Sequence, residues 1–399
     1  MGLVGSLAKL VFARLVPGLV LLVVIVVGWS NMESDKQIPE GRFFAALIPL
    51  LKGYLPPLLV GHGRMVGTPP VPDSMTPEPR PANEAFVQLR TGDPNITYPM
   101  PAFGLGMCCR PTAYDDVMVE RSVLWFLLLG GRMIDGADLY LNHEAIGKGI
   151  HEAISRGIPR EEIFVTTKVF PSHFGYNSTM EVVPKMLKEL NLDYVDMMLM
   201  HAPSRFAFFP AIAHWMGTSE CREKGLTHSE CRKETWKALT ELREQGLVRN
   251  VGVSNFAKSH LEELQTVGGA PIANNQIQFN PWLSDEWMET ANYCHDNGIA
   301  ITGYNSLGGS LQHHETSTIT VLTDLAASYD KSVAQIMLRW AMQHKAIVIP
   351  GTGNPKYMKE NMGVYDFALS TEDMAAIDGL RSSDAMAKFF QTPAAMPEE

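Results

Sequence analysis

From about Phe86 onward the chain alternates two textures. Short apolar, β-rich runs (AFGLGM, RMIDGAD, IFVTTKV, VDMMLMHA, RNVGVSNF, NNQIQFN, IAITGYNSL and AIVIPGT) are separated by longer stretches whose apolar residues recur three and four apart. Ala145/Ile146, Gly149/Ile150 and Ala153/Ile154 mark one helical face, and Trp236, Leu239 and Leu242 mark another. Eight strand candidates alternating with helices predict an α/β fold, a (β/α)8 TIM barrel. The competitor is a doubly wound open sheet, which wants a GxGxxG turn after an early strand; the chain has none.

Upstream of the barrel the composition changes. Leu15–Trp29, LVPGLVLLVVIVVGW, runs fifteen residues without a charge and is preceded by Lys9 and Arg14. A spanning helix needs about 20 apolar residues, and a signal-peptide core about 7–15. Extending the run back to Val11 reaches spanning length if Arg14 snorkels to the headgroups. Phe43–Val60 is also apolar, but Pro49, Lys52, Gly53 and Pro56-Pro57 break it, which fits an interfacial segment better than a straight span. Thr68–Pro81 holds six prolines and reads as an extended linker without its own core. The expected organisation is therefore a membrane-associated segment over 1–62, as anchor or signal helix, a Pro-rich linker over 63–85 and the barrel over 86–399.

Charge sets the expected side of the membrane. Lys9 and Arg14 precede the apolar run, whereas Glu33, Asp35 and Lys36 follow it, so the positive-inside rule sends the barrel to the lumen. Asn95-Ile-Thr and Asn177-Ser-Thr are glycosylation sequons available there. Met1-Gly-Leu-Val-Gly-Ser6 points the other way, since it fits a loose myristoylation pattern suited to a cytosolic barrel. The formal charge of −10 excludes a nucleic-acid surface, and 46% apolar residues suffice for a full core. Of the five cysteines, none forms a CxxC pair, so neither a zinc site nor a disulfide scaffold is indicated, and no metal is expected. Cys221 and Cys231 read as unrelated loop cysteines, with a bridge the alternative in an oxidising compartment.

Barrel enzymes carry their chemistry at the C-terminal ends of the strands. The second run ends in Asp135 with Tyr140 five residues on, the third ends in Lys168 and the fourth in His201. Each has an ordinary explanation: a helix cap, a packing tyrosine, a solvated lysine, a core histidine. Four titratable groups at successive strand ends would require all of these at once. An ammonium beside a phenol eases loss of the phenol's proton.

IDGADLYLNHEAIG, FVTTKV, LMHAP, VRNVGVSNF, NNQIQFNPWL, GYNSLGG and VIPGTGNPKYMKEN occur in that order, and over Phe86–Leu380 the chain resembles the aldo-keto reductase family. The resemblance implies a catalytic set of Asp135, Tyr140, Lys168 and His201: Tyr140 donates the proton, Lys168 lowers its pKa, Asp135 steadies the lysine and His201 orients the carbonyl. It also implies a cofactor, NADP(H) or NAD(H). Ser254, Asn255 and Gln276 would hold the carboxamide and Tyr304 would stack on the ring, with Asn305 and Leu307 on the same loop. Gly351, Thr352, Gly353 and Asn354 would take a phosphate at a helix N-terminus, and Glu360 and Asn361 the adenine.

Three departures stand out. Strong NADP binders of the family carry a lysine where this chain has Gly351 and an arginine where it has Tyr357, so cofactor preference is open, with Lys356 or Lys359 as substitute point charges. Cys108 replaces a tryptophan of the substrate pocket and implies a roomier site beside His201. An insert, Phe206–Cys231, occupies a loop that shapes that pocket in the family. The expected function is reversible NAD(P)H-dependent reduction of an aldehyde or ketone by a monomeric barrel tethered to a membrane. The alternative is a cofactor-binding regulatory subunit of a membrane protein.

Overall fold

The structure, a computed structural model, describes residues 67–93, 95–204, 220–308 and 316–382. The chain divides into two units, Met1–Met65 and Val66–Glu399, and the described residues all belong to the second. The expected anchor over 1–62, the interfacial stretch Phe43–Val60 and most of the insert Phe206–Cys231 lie outside the described residues. Among those described, no helix is long and apolar enough to cross a membrane.

Eight parallel strands run β3 (Leu105–Gly106), β4 (Met133–Asp135), β5 (Phe164–Val169), β6 (Val195–Met200), β7 (Val248–Ser254), β8 (Asn274–Gln278), β9 (Ala300–Tyr304) and β10 (Ala346–Val348). Each pairs with the next in chain order. The ring closes because Phe103 bridges Val348 in parallel, with Gly104 N donating to the Val348 carbonyl and Val348 N to the Ala102 carbonyl. Every residue of β5 (FVTTKV) and β6 (VDMMLM) is buried, as expected when one strand face meets the barrel interior and the other meets helices.

Among the described residues the α-helices are α1 (Asp116–Leu128), α2 (His143–Ser155), α3 (Tyr176–Leu190), α4 (Glu220–Glu223), α5 (His228–Glu244), α6 (Lys258–Gln265), α7 (Asp285–Asp296), α8 (Thr320–Ser328), α9 (Val333–Gln343), α10 (Pro355–Met362) and α11 (Thr371–Asp378). Their apolar stripes form the outer core with the backs of the strands; Trp236, Leu239 and Leu242 of α5 are fully buried there. On α2 the apolar face includes Gly147, where a Cβ would lie 2.3 Å from the Leu190 carbonyl oxygen at the end of α3. The glycine lets two barrel helices touch backbone to backbone.

A feature hidden in the sequence texture is the antiparallel hairpin of β1 (Phe86–Arg90) and β2 (Thr97–Pro101). Its inward residues Leu89 and Met100 pack with Met133, Phe164, Ala273 and Ala300, which lie at or just before the strand starts, and so cap the N-terminal end of the barrel. The chemistry is thereby left to the opposite end.

The structure corrects two readings. Thr68–Pro81 is not a free linker but a strap laid along the barrel. Trp125 Nε1 donates to the Pro69 carbonyl (3.0 Å), Arg156 Nη1 to the Pro72 carbonyl (2.8 Å), and Glu78 N to the Leu128 carbonyl (2.7 Å). Prolines lack an N–H but keep a carbonyl, so a Pro-rich strap can dock wherever the barrel offers donors. Cys221 and Cys231, read as unrelated, form a disulfide that ties α4 to the start of α5, with Cα atoms 5.5 Å apart. The helical turn between them could not be read from spacing. Cys108 and Cys109 are also bonded, as a vicinal pair after β3.

Candidate active site

β4 ends at Asp135, and the chain turns immediately: Gly136 N donates to the Thr166 carbonyl of the neighbouring strand, and a single 3-10 turn, Asp138–Tyr140, follows. Leu141 then takes a left-handed conformation (φ 54°) and α2 begins. This compact exit swings Tyr140 back over the barrel mouth. Asp138 faces His173 at 3.4 Å on the rim, as a rim residue should.

Lys168, on β5, is completely buried. Its ammonium donates to Asp135 Oδ1 at 2.6 Å, to the Gly136 carbonyl at 2.7 Å and to the Tyr140 hydroxyl at 3.3 Å. Three N–H groups meet three oxygens. The other carboxylate oxygen, Asp135 Oδ2, accepts from Gln276 Nε2 of β8 at 2.7 Å, which ties the pair across the barrel mouth. His201, following β6, presents its ring edge-on to Tyr140 with centroids 5.7 Å apart, and its backbone N–H donates to the Val169 carbonyl. The four residues singled out at strand ends therefore meet at one place.

Burial works against the Lys168 ammonium, but Asp135 and then Tyr140 outweigh it and hold the amine above its ordinary value. Tyr140 departs from the sequence expectation. Its pKa is raised, because burial disfavours the phenolate more than Lys168 favours it, and Asp135 adds to the rise. The phenol thus keeps its proton at neutral pH, and the lysine limits the rise rather than reversing it. His201 is pushed well below the usual imidazole value by burial, with the Lys168 charge adding to this.

The residues assigned to the cofactor fall into two groups. Around His201, Asn255 Nδ2 donates to the His201 carbonyl (3.1 Å) and to Ser254 Oγ (3.0 Å), and Ser254 Oγ donates to the Gln276 carbonyl (2.9 Å). The Tyr304 hydroxyl donates to Asn255 Oδ1 at 2.8 Å. Asn255 (φ 62°) and Asn305 (φ 58°) both adopt the left-handed conformation that asparagine tolerates, so the chain turns sharply after β7 and β9. The Asn305 carbonyl accepts from Asn280, while Leu307 packs on the outer core.

At the second group, Asn354 caps α10: Oδ1 accepts from Lys356 N (3.0 Å), and Asn354 N donates to Thr352 Oγ1 (3.1 Å). Gly351 and Gly353 let Arg110 and Thr68 approach the turn closely, Asn361 is buried, and the Glu360 carbonyl accepts from Gln335. A shallow pocket beside α10 is lined by Leu129, Pro355, Lys356, Lys359 and Glu360. Neutral amide and hydroxyl groups with a half-buried tyrosine lie at the deep end, and a capped helix N-terminus at the other. A nicotinamide dinucleotide has the matching order: an uncharged amide ring, then anionic phosphates, then adenine.

Residues 102–382 match the family model described as Aldo/keto reductase family. The uncharacterized oxidoreductase YtbE of Bacillus subtilis is 35% identical over 286 residues, covering 71% of this chain and 90% of that one. Glyoxal reductase of the same organism has the same identity and coverage. Among solved structures, the Bombyx mori aldo-keto reductase in complex with NADP superposes with a TM-score of 0.64 at 30% identity, over 76% of this chain and 93% of that one. The chain belongs to the aldo/keto reductase family. It is an NAD(P)-dependent oxidoreductase that reduces carbonyl compounds, and the regulatory-subunit alternative is not favoured.

Two residues of this aldo/keto reductase site escaped the sequence reading. Asn142, after Tyr140, donates to the carbonyls of Met107 (3.0 Å) and Ala113 (3.3 Å), fixing the loop that carries Cys108. Arg110, in that same loop, lies against the Gly351 turn, and its only sequence signal was a lone basic residue after GMCC.

The depressed imidazole pKa has a consequence for stability. Below the unfolded value of about 6.5 the unfolded chain binds a proton that folded His201 refuses, so stability falls as pH drops through that window toward the folded value. Full stability from this residue is present above pH about 6.5, and its share of the slope is up to about 1.4 kcal/mol per pH unit. Urea unfolding at pH 7 and pH 5 should show a shallower pH slope for His201→Asn than for the wild type.

Proposed function

We propose that Tyr140 is the proton donor in this carbonyl reduction and that Lys168 and Asp135 act through it. The observation that carries the reading is the Lys168 ammonium, fully buried and bonded at once to Asp135 and the Tyr140 hydroxyl. When bound, the nicotinamide supplies the hydride. The chain's own residues do the rest. A carbonyl oxygen placed between Tyr140 and His201 meets a phenol that holds its proton and an imidazole kept neutral, so both can donate hydrogen bonds to the developing alkoxide. As the phenol gives up its proton, the resulting phenolate faces Lys168, whose charge is held by Asp135 and Gln276 behind it. A small residue at 108 leaves room for the substrate, an aldehyde or ketone.

Tyr140→Phe should lower carbonyl reduction by about 10²–10⁴-fold, the usual worth of a positioned proton donor, while leaving cofactor affinity nearly unchanged. Stopped-flow turnover alongside fluorescence titration checks both, and near-wild-type turnover would remove Tyr140 from this role.

For location we propose that the apolar N-terminal run anchors the protein and that the barrel lies on the lumenal side. The flanking charges support this, as does the Cys221–Cys231 disulfide, since such bonds persist in oxidising compartments. Asn95 is exposed and its sequon is accessible; Asn177 instead bonds Glu220 in the first turn of α3. Protease treatment of intact microsomes should leave the barrel undigested until detergent is added. Digestion without detergent places it in the cytosol.

A further inference from the structure

Position 351 lacks the family's lysine and position 357 its arginine, and the nearby lysines do not replace them. Lys359 is held by both Glu78 carboxylate oxygens at 3.0 Å, an ion pair with the strap, and Lys356 lies on the exposed side of the first turn of α10. The structure brings a different cation to the place. Arg110 leaves the loop after β3, the first strand of the ring, and reaches the turn that follows β10, the last. A Cβ built on Gly351 would stand 2.9 Å from Arg110 Nη1 and 3.1 Å from the Gly106 carbonyl oxygen. The guanidinium lies against the bare Cα of Gly351, and a side chain at 351 would have to displace it.

The partners of Arg110 are all neutral. Nη1 donates to the Gly106 carbonyl, Nε to Thr112 Oγ1 at 3.0 Å, and Nη2 to Met107 Sδ at 3.6 Å. Among the described residues no carboxylate pairs with it, whereas Arg132, Arg160 and Arg232 face Glu162, Asp196 and Glu263. A guanidinium has five N–H donors, so two remain available on a partly buried cation without a counter-charge. Burial alone draws its pKa down to about 10, the mark of a charge that nothing in the protein compensates.

We propose that Arg110 is the phosphate-binding residue of this cofactor site, taking over from the opposite side of the barrel seam the task of the missing basic pair. The proposal rests on the nicotinamide-cofactor reading above. Its ligand is a phosphate of the dinucleotide, held by the guanidinium in charge-assisted hydrogen bonds beside the capped N-terminus of α10. The two sources of such an anion are the 2′-phosphate of NADPH and the pyrophosphate common to NADPH and NADH.

Binding measured directly, without turnover, tests it. Intrinsic fluorescence of the full-length protein is titrated with NADPH and with NADH for wild type, Arg110→Met, Arg110→Gln and Arg110→Lys, with thermal unfolding as the check on folding. Arg110→Met should weaken NADPH binding by about 10–100-fold, as expected for losing a charge-assisted phosphate contact. Arg110→Lys should recover part of this. A loss confined to NADPH assigns the 2′-phosphate, and an equal loss for NADH assigns the pyrophosphate. Arg110→Gln places an amide nitrogen about where Nε stood, keeps the bond to Thr112, and decides the matter if the methionine variant unfolds. Neutral variants that unfold like wild type and bind both cofactors as tightly would overturn the proposal while leaving the cofactor reading intact. Wild-type protein that binds neither cofactor would overturn both.

Discussion

A fully buried ammonium is the constraint around which this barrel mouth is arranged. Removing Lys168 from water costs several kcal/mol unless its charge and all three donors are met. They are met by the carboxylate of Asp135, the carbonyl of Gly136 and the hydroxyl of Tyr140. Two of these acceptors come from the stretch just after β4, so the sharp exit of that strand is what makes the burial tolerable. The remaining carboxylate oxygen is bound by Gln276 from the far side of the ring. The result is a positive charge that cannot leave and a phenol that must face it.

The barrel makes the arrangement possible by delivering one or two side chains from each of several strand ends to one opening. The β1–β2 hairpin fills the other end with Leu89 and Met100, and the ring closes through Phe103 and Val348. Closure also juxtaposes the loops after the first and last strands. Arg110 and Gly351 are 241 positions apart in the chain and yet share one volume of space (351 minus 110). An open sheet would have kept them at opposite edges. The Pro-rich strap adds a second consequence, because Glu78 takes up Lys359 and so removes one of the two lysines that stand near the Gly351 turn.

Much of this was legible in the residues. The eight β-rich runs are the eight strands, and Asp135, Tyr140, Lys168 and His201 were visible because polar residues ending apolar runs are conspicuous. Ser254, Asn255, Gln276 and Tyr304 were visible only through the family likeness, and the structure joins them to His201 in one hydrogen-bonded network. What could not be read depended on contacts distant in sequence. The strap reads as a linker because its bonds join its backbone groups to Trp125, Leu128 and Arg156, distant contacts that leave no mark on composition. The Cys221–Cys231 bond depends on the short helical turn between them. The direction of the Tyr140 shift is not legible in the sequence, where a charge is obvious but desolvation, a property of the packed site, is not.

In this site Asp135 acts by keeping Lys168 charged beside Tyr140. The most direct test is the pH profile of single-turnover carbonyl reduction, for wild type and for Asp135→Asn, which preserves shape and removes one charge. Without the carboxylate, Lys168 loses its strongest support, and Tyr140 loses a neighbour that holds its proton on. Both changes move the alkaline limb of the profile the same way. The limb should shift to lower pH by about one unit or more in Asp135→Asn, the usual effect of one adjacent opposite charge. Superimposable profiles would contradict it.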